Sequence, residues 1–147
     1  TYFLVLAVAT LMVGFNEELL FRGIIAHGAR GTGAWTEARV MLVSAVAFGL
    51  FHLPNVLVGQ ALGPTLIQVA YASVMGIALY ASMRVSGTIL LPIAMHALWD
   101  FSTFSAKTGQ MPTVLSLAVF ACLVLITALC LFAVVHALLR TRRGAAA

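Results

Sequence analysis

Six ionisable side chains lie inside stretches of sequence that are otherwise apolar: Glu17, Glu18, Arg22, His52, His96 and Asp100. A charge in the hydrocarbon of a bilayer costs about 2.5–3.5 kcal/mol on insertion scales, so such residues usually pair, line a wet cavity or serve a function. Carboxylates and imidazoles together can activate water, either as general bases or through a metal. The residue types therefore predict a hydrolytic site, provided that the fold brings them together.

The spacing of these residues gives them different roles. Glu18 and Arg22 are four residues apart with the acid first, which is the favourable order for an ion pair on a helix. Glu17 points about 100° away from Glu18, so it is freer to face a cavity. His96 and Asp100 are also four residues apart and project from one face of their helix. We expect Glu18 and Arg22 to support a site formed by the others.

The composition places the chain in a membrane. Of its 147 residues 63% are hydrophobic and 8% charged, and the mean hydropathy is +1.10. A soluble protein of this size could not bury so much apolar surface, which also excludes a secreted disulfide scaffold and a disordered tail. The net charge of +4 comes without an aromatic-basic patch, so nucleic acid is not an expected partner. Thr1 already lies in apolar sequence, which indicates a fragment or a processed form.

The apolar segments predict an all-α fold, a polytopic membrane bundle of about five transmembrane helices forming one domain over residues 1–147. Polar and turn residues divide the chain into segments at about 1–29, 36–53, 62–84, 87–104 and 112–140. Most approach the roughly 20 residues that cross a bilayer. The second and fourth are shorter, so we expect them to tilt or to be shielded by neighbouring helices.

The distribution of basic residues predicts the orientation. Alternating spans put six arginines on one side and a lysine on the other: Arg30, Arg39, Arg84, Arg140, Arg142 and Arg143 against Lys107. By the positive-inside rule the arginine side is cytoplasmic. This predicts an integral protein of a bacterial cytoplasmic membrane with a cytoplasmic C-terminus. Glu37, near Arg39, is expected to be a solvated flank.

The predicted depths of the ionisable residues agree. At about 1.5 Å per helical residue, Glu17 lies about 18 Å from the cytoplasmic boundary, His52 about 20 Å and His96 about 15 Å. Three helices thus bring their ionisable groups close to the bilayer midplane. Polar residues scattered at random would not need to agree in this way, so the estimate favours one shared site.

Three short motifs carry a family resemblance. Residues 17–22 match Glu-Glu-x-x-x-Arg, residues 48–52 match Phe-x-x-x-His, and residues 96–100 match His-x-x-x-Asn/Asp. In this order on successive membrane helices they resemble the CPBP family of intramembrane proteases, which includes CAAX prenyl proteases and bacteriocin-processing, Abi-type proteins. The resemblance covers about residues 14–104. It implies cleavage of a peptide bond in a membrane-embedded or lipid-anchored, possibly CAAX-type prenylated, protein or peptide.

The resemblance also implies roles for the motif residues. Glu17 and His52 would activate the attacking water, while His96 and Asp100 would stabilise the oxyanion. The prenyl proteases usually have Asn where this chain has Asp100, and an ionised Asp would repel an oxyanion, so Asp100 must be protonated, orient His96 or ligate a metal. Many bacterial relatives are called metalloproteases, and Glu17, His52 and His96 are candidate zinc ligands with an open position. The sequence leaves metal-bound and free water as alternatives.

Two other functions are compatible with the same residues. One is a non-proteolytic membrane subunit or immunity-type protein that keeps the fold and binds another membrane protein, with its polar residues joining helices. The other is a transporter or proton relay. All three place the chain among membrane lipids, and only the protease requires a peptide substrate and a nucleophilic water.

Overall fold

The computed structural model describes residues 1–109 and 112–144, and all regular secondary structure among them is helical. Six α-helices, one π-helical segment and one 3-10 helix follow each other along the chain. They are α1 (Tyr2–Glu18), the π-helical segment (Leu19–Ala26), α2 (His27–Gly31), α3 (Glu37–Leu50), the 3-10 helix (Leu53–Val58), α4 (Leu62–Ser86), α5 (Leu90–Lys107) and α6 (Thr113–Gly144).

The prediction of an all-α membrane bundle is confirmed. The first two α-helices and the π-helical segment join into one helical stretch, Tyr2–Gly31, and this stretch, Glu37–Val58 and Leu62–Ser86 are each long and apolar enough to cross a membrane. Helix α5 has 18 residues but carries His, Asp and Lys among its apolar residues, and it packs against its neighbours along much of its length. The expected shielding of this short helix is therefore observed.

Close approaches between helices bring the polar residues together. Helix α1 packs on α5 at Gly14, where an added Cβ would lie 3.1 Å from the Ala97 nitrogen. Helix α3 packs on α4 at Gly49, where a Cβ would lie 2.6 Å from the Val69 carbonyl oxygen. Both glycines are small enough to let the backbones meet. The first of these contacts places the end of α1 beside the middle of α5.

Helix α6 covers one side of the α4–α5 pair. A row of aromatic rings joins the three helices, with Trp99 5.3 Å from Tyr71 and 5.1 Å from Phe120 between ring centroids. On the other side, a buried apolar cluster fills the space between the π-helical segment, α3, α4 and α5: Phe21, Phe48, Ala72, Leu79 and Met95. The ionisable residues lie between this cluster and the open end of the bundle.

Candidate active site

The ion pair of Glu18 and Arg22 lies completely inside the protein. Arg22 Nη1 donates to Glu18 Oε1 at 2.8 Å, and both side chains have no exposed surface. Arg22 Nη2 donates to the Gly76 carbonyl oxygen at 2.9 Å, and the guanidinium lies 4.6 Å from the centre of the Phe48 ring. The pair that the spacing predicts therefore exists, and α4 and α3 hold it from two further directions.

A change in helix type occurs at this pair. Glu18 is the last residue of α1, and the π-helical turns begin at Leu19. The wider π turn changes which side chains share a face, and π segments are frequent at functional sites. The carbonyl oxygen of Phe21, inside this segment, accepts a hydrogen bond from the Ser44 hydroxyl at 2.9 Å. Helix α3 thus braces the irregular segment next to the ion pair.

His96 is the residue that joins the carboxyl groups. Its Nδ1 lies 3.0 Å from Glu18 Oε1, within hydrogen-bond distance. Its Nε2 lies 3.8 Å from Glu17 Oε2 and 3.6 Å from Asp100 Oδ2. These last two distances exceed an N–H···O hydrogen bond, so Nε2 faces two carboxyls without being bound to either. We call Glu17, Glu18, Arg22, His96 and Asp100 the buried cluster.

The end of helix α3 orients His52. The backbone N–H of His52 bonds to the Gly49 carbonyl, so the Phe48 carbonyl receives no N–H from residue 52. His52 Nδ1 lies 3.0 Å from that free carbonyl oxygen, which can only accept a hydrogen bond. Nδ1 must therefore carry the proton in this contact, which leaves Nε2 of a neutral ring as an acceptor.

The ring of Phe48 separates the two imidazoles and contacts both. It lies 5.3 Å from the His52 ring and 5.4 Å from the His96 ring, edge to face in each case. His52 lines the same cavity as His96 and Asp100. The structure thus brings Glu17, His96 and Asp100 into direct proximity and puts His52 beside them across an aromatic ring.

A cavity of about 510 Å³ borders this group. His52, His96 and Asp100 line it, and buried Leu79 forms part of its inner end. Its outer end, with exposed Lys107, is formed where α4 begins and α5 ends. Glu17 is not part of the cavity wall: its side chain is 18% exposed and lies beside His96 instead. His96, and not Glu17, thus contributes to the cavity wall, and a cavity-facing role for Glu17 stays a prediction.

Sequence reasoning missed one contact in this site. The spacing predicted the pairing of Glu18 with Arg22, and Glu18 Oε1, which accepts from Arg22, also lies within hydrogen-bond distance of His96. These two residues are on different helices, so no spacing rule predicts their meeting. The Phe of the Phe-x-x-x-His motif is Phe48, and this motif position was the available signal for a ring that contacts both histidines.

The candidate zinc ligands do not form a metal site in this arrangement. Among the residues that the structure describes, no three His, Cys, Asp or Glu side chains converge closely enough to hold a metal ion. His96 directs Nδ1 to Glu18 and Nε2 to two other carboxyls. The zinc set of Glu17, His52 and His96 therefore stays a prediction.

A second polar cluster lies at the arginine end of the bundle. Glu37 Oε2 is 3.3 Å from Arg30 Nε, while its Oε1 pairs with Arg84 and accepts a hydrogen bond from the Tyr80 hydroxyl at 2.8 Å. Glu37 is partly exposed, as expected of a solvated flank, but it also links α2, α3 and α4. Arg39 lies over the Trp35 ring instead. We call Arg30, Glu37, Tyr80 and Arg84 the boundary cluster.

The fold and this geometry define a helical membrane protein with a buried carboxylate–imidazole cluster beside a cavity. Residues 1–102 match the family described as type II CAAX prenyl endopeptidase, Rce1-like, and the chain belongs to this family. No curated protein and no solved structure matches the chain. Membership in this family implies CAAX-type intramembrane endopeptidase activity, a lipid environment and a membrane peptide as substrate.

Proposed function

We propose that the protein hydrolyses a peptide bond of a membrane-embedded or lipid-anchored substrate with a water activated by Glu17 and His52. The observation that carries this proposal is the position of His96, whose Nε2 faces two carboxyls at distances too long for hydrogen bonds. An imidazole nitrogen left open between two carboxyls, next to a cavity, has room for a water or a substrate oxygen. Family membership supplies the reaction class.

The proposed first step is proton removal from water. Glu17 Oε2 is buried and has no hydrogen-bond partner among the described residues, so it has an unused acceptor position. His52 adds a second acceptor, because its Nδ1–H is directed to the Phe48 carbonyl. A water between these two groups could transfer its proton while its oxygen attacks the scissile carbonyl carbon. The C–N bond then breaks, and the proton goes to the leaving amine.

The proposed second role is stabilisation of the oxyanion. The contact with Glu18 fixes the His96 ring with Nδ1–H as donor, and Glu18 is itself held by Arg22. Protonated Nε2 would then donate to the developing negative oxygen. Asp100, which takes the place of the usual Asn, lies 3.6 Å from Nε2. Of the roles open to Asp100, we favour orienting His96, because an ionised carboxylate cannot itself donate to an oxyanion.

The substrate is proposed to enter from the bilayer. Apolar and aromatic side chains line much of the cavity, among them Ile67, Tyr71 and Trp99. Such walls suit a membrane-embedded or prenylated peptide. We further propose that the end bearing Arg30 and Arg84 is cytoplasmic, in a bacterial inner membrane, since these arginines share the boundary cluster.

The test is cleavage of prenylated and unprenylated CAAX peptides by the full chain reconstituted in liposomes. We expect Glu17→Gln and His52→Ala to lower the cleavage rate by about 10²- to 10⁴-fold, the usual contribution of a general base. Glu37→Gln is the matched control, because it neutralises an acid outside the site, and it should cleave almost as well as the wild type. Product masses identify the cleaved bond.

Other outcomes separate the alternatives. Cleavage that both variants leave unchanged contradicts the proposed site. Absence of cleavage, together with stoichiometric copurification of a membrane protein, favours the binding-subunit hypothesis. Prolonged chelation tests the zinc hypothesis: we expect activity to persist, since no three donor side chains converge in the described part of the chain, and loss of activity restored by zinc would contradict this.

A further inference from the structure

Polar residues line one face of α5 between the buried cluster and the outer end of the cavity. His96, Asp100, Thr103 and Lys107 follow each other at intervals of four, three and four residues, and all four line the cavity. This spacing keeps them on one side of the helix. At about 1.5 Å per residue, Lys107 lies about 10 Å from Asp100 along the helix axis.

Lys107 is the one Lys or Arg among the described residues that line the cavity, and like Arg39 it has no acidic partner there. Arg22, Arg30 and Arg84 each pair with an acid. The chain has only four acidic side chains, and none of them pairs with Lys107 in the described structure. Its ammonium lies 5.7 Å from the centre of the Phe104 ring, at the mouth of the cavity. An unpaired cation at a cavity mouth is a position where an anionic ligand group would be favoured.

The side-chain amides of Gln60 and Gln68 line the same cavity as Lys107. Gln68 Oε1 accepts hydrogen bonds from the side-chain amides of Asn55 and Gln60, both at 3.0 Å. This leaves the Gln68 amide N–H groups as its remaining hydrogen-bonding capacity. Gln68 and Lys107 are at roughly equal distances along the chain from the α4–α5 turn, so they lie at a similar level of the same cavity.

We propose that this outer end binds the free C-terminal carboxylate of the substrate. The proposal rests on the proposed function above. A CAAX sequence has three residues after its cysteine, and three extended residues span about 10–11 Å. This length equals the separation of Asp100 and Lys107 along α5. A carboxylate held by Lys107 and Gln68 would therefore bring the peptide bond after the cysteine to His96 and Asp100.

The wall between the two polar ends fits the two intervening aliphatic residues. Ile67, Tyr71 and Trp99 line this part of the cavity, and the Tyr71 and Trp99 rings lie 5.3 Å apart. An extended peptide fixed at its carboxylate would direct aliphatic side chains against these groups. By binding the C-terminal carboxylate, Lys107 would thus fix which peptide bond lies at His96 and Asp100.

The experiment compares two peptides that differ only at the C-terminus, a free acid and an amide, with the full chain in liposomes. We expect the wild type to prefer the acid by about 10-fold in kcat/KM, as a charge-assisted contact at an exposed lysine allows. Lys107→Met should lose this preference by slowing cleavage of the acid while leaving that of the amide unchanged. Arg39→Met is the control, because it removes a cation at the opposite end of the bundle.

A binding measurement keeps the proposal testable without turnover. The Glu17→Gln protein, with and without Lys107→Met, is titrated with the same acid and amide peptides. Tighter binding of the acid that disappears with Lys107→Met supports the carboxylate site, even if the protein cleaves neither peptide. Absence of cleavage contradicts only the proposed function. Equal affinity for both peptides, or a preference for the acid that remains in Lys107→Met, overturns the carboxylate site. If cleavage still depends on Glu17 and His52 in that case, the proposed function is unaffected.

Discussion

The buried cluster and the boundary cluster use the same chemical groups in different surroundings. In each, one glutamate binds an arginine and a further side chain. Glu18 and Arg22 have no exposed side-chain surface, whereas Glu37 is 37% and Arg84 39% exposed. Water can complete the hydrogen bonds of the boundary cluster, but the buried cluster depends on its protein neighbours. Removing one partner of an ion pair should therefore destabilise the protein more inside the bundle than at its end.

The two clusters also differ in charge balance. The boundary cluster has two arginines for one carboxyl, while the buried cluster has three carboxyls for one arginine. Three buried atoms of the latter have no hydrogen-bond partner among the residues that the structure describes: Glu17 Oε2, Glu18 Oε2 and Arg22 Nε. A group of charges that served only to join helices would leave fewer polar atoms unsatisfied. Unsatisfied polar atoms around His96, which itself lines the cavity, are instead consistent with a site that takes up water or substrate.

The largest expected effect comes from breaking the buried pair. Arg22→Met leaves Glu18 as a buried carboxylate without its cation, which typically costs about 3–5 kcal/mol. Arg84→Met at the boundary should cost about 1 kcal/mol or less, since exposed pairs contribute little. Unfolding in mixed micelles measures both changes in free energy. Similar losses for the two variants would contradict the distinction between the clusters.

A double variant separates stability from positioning at this pair. Glu18→Leu with Arg22→Met removes both charges, and such replacements are often neutral for stability. We expect the double variant to be nearly as stable as the wild type but poor in cleavage, because His96 loses the acceptor of its Nδ1–H. Its remaining activity should also show a shifted pH profile. A fully active double variant with an unchanged profile would mean that Glu18 has no part in positioning His96.

An intermediate effect is expected from moving the helices without changing any charge. Gly14→Ala inserts a methyl group 3.1 Å from the α5 backbone, and overpacking of this kind costs about 1–3 kcal/mol. Cleavage should fall as well, because the same contact holds Glu17 and Glu18 against His96. Gly28→Ala is the matched control, since nothing lies within 4 Å of its added methyl group. Equal stability and activity of the two variants would show that the α1–α5 contact does not position the site.

The sequence was sufficient for the helical segments and for much of the site. Apolar length and turn residues predicted the spans, and i,i+4 spacing predicted the meeting of Glu18 with Arg22 and the shared face of His96 and Asp100. These features depend only on local helix geometry. The depth estimate added that Glu17 and His96 lie at a similar level, and their side chains are 3.8 Å apart.

The contacts that the sequence did not predict depend on how helices rotate against each other. The meeting of Glu18 with His96 depends on the close approach of α1 to α5 at Gly14. The pairing of Glu37 with Arg84 instead of Arg39 has the same origin, since residues two apart on a helix do not face each other. Rotation between helices has no simple sequence signal, and small changes in it decide which side chains meet.

The smallest expected effect tests the boundary cluster itself. Glu37→Gln removes one carboxylate from two exposed ion pairs and keeps a group that can accept from the Tyr80 hydroxyl. We expect a loss of about 1 kcal/mol or less and a cleavage rate within about twofold of the wild type, because the variant leaves the buried cluster intact. Salt provides the independent check: at 1 M the screening length falls to about 3 Å, so the difference in stability between the wild type and Glu37→Gln should shrink. If Glu37→Gln instead lost cleavage activity, and high salt did not change that loss, the boundary cluster would be needed for catalysis. A surface ion pair that salt screens could not cause such a loss.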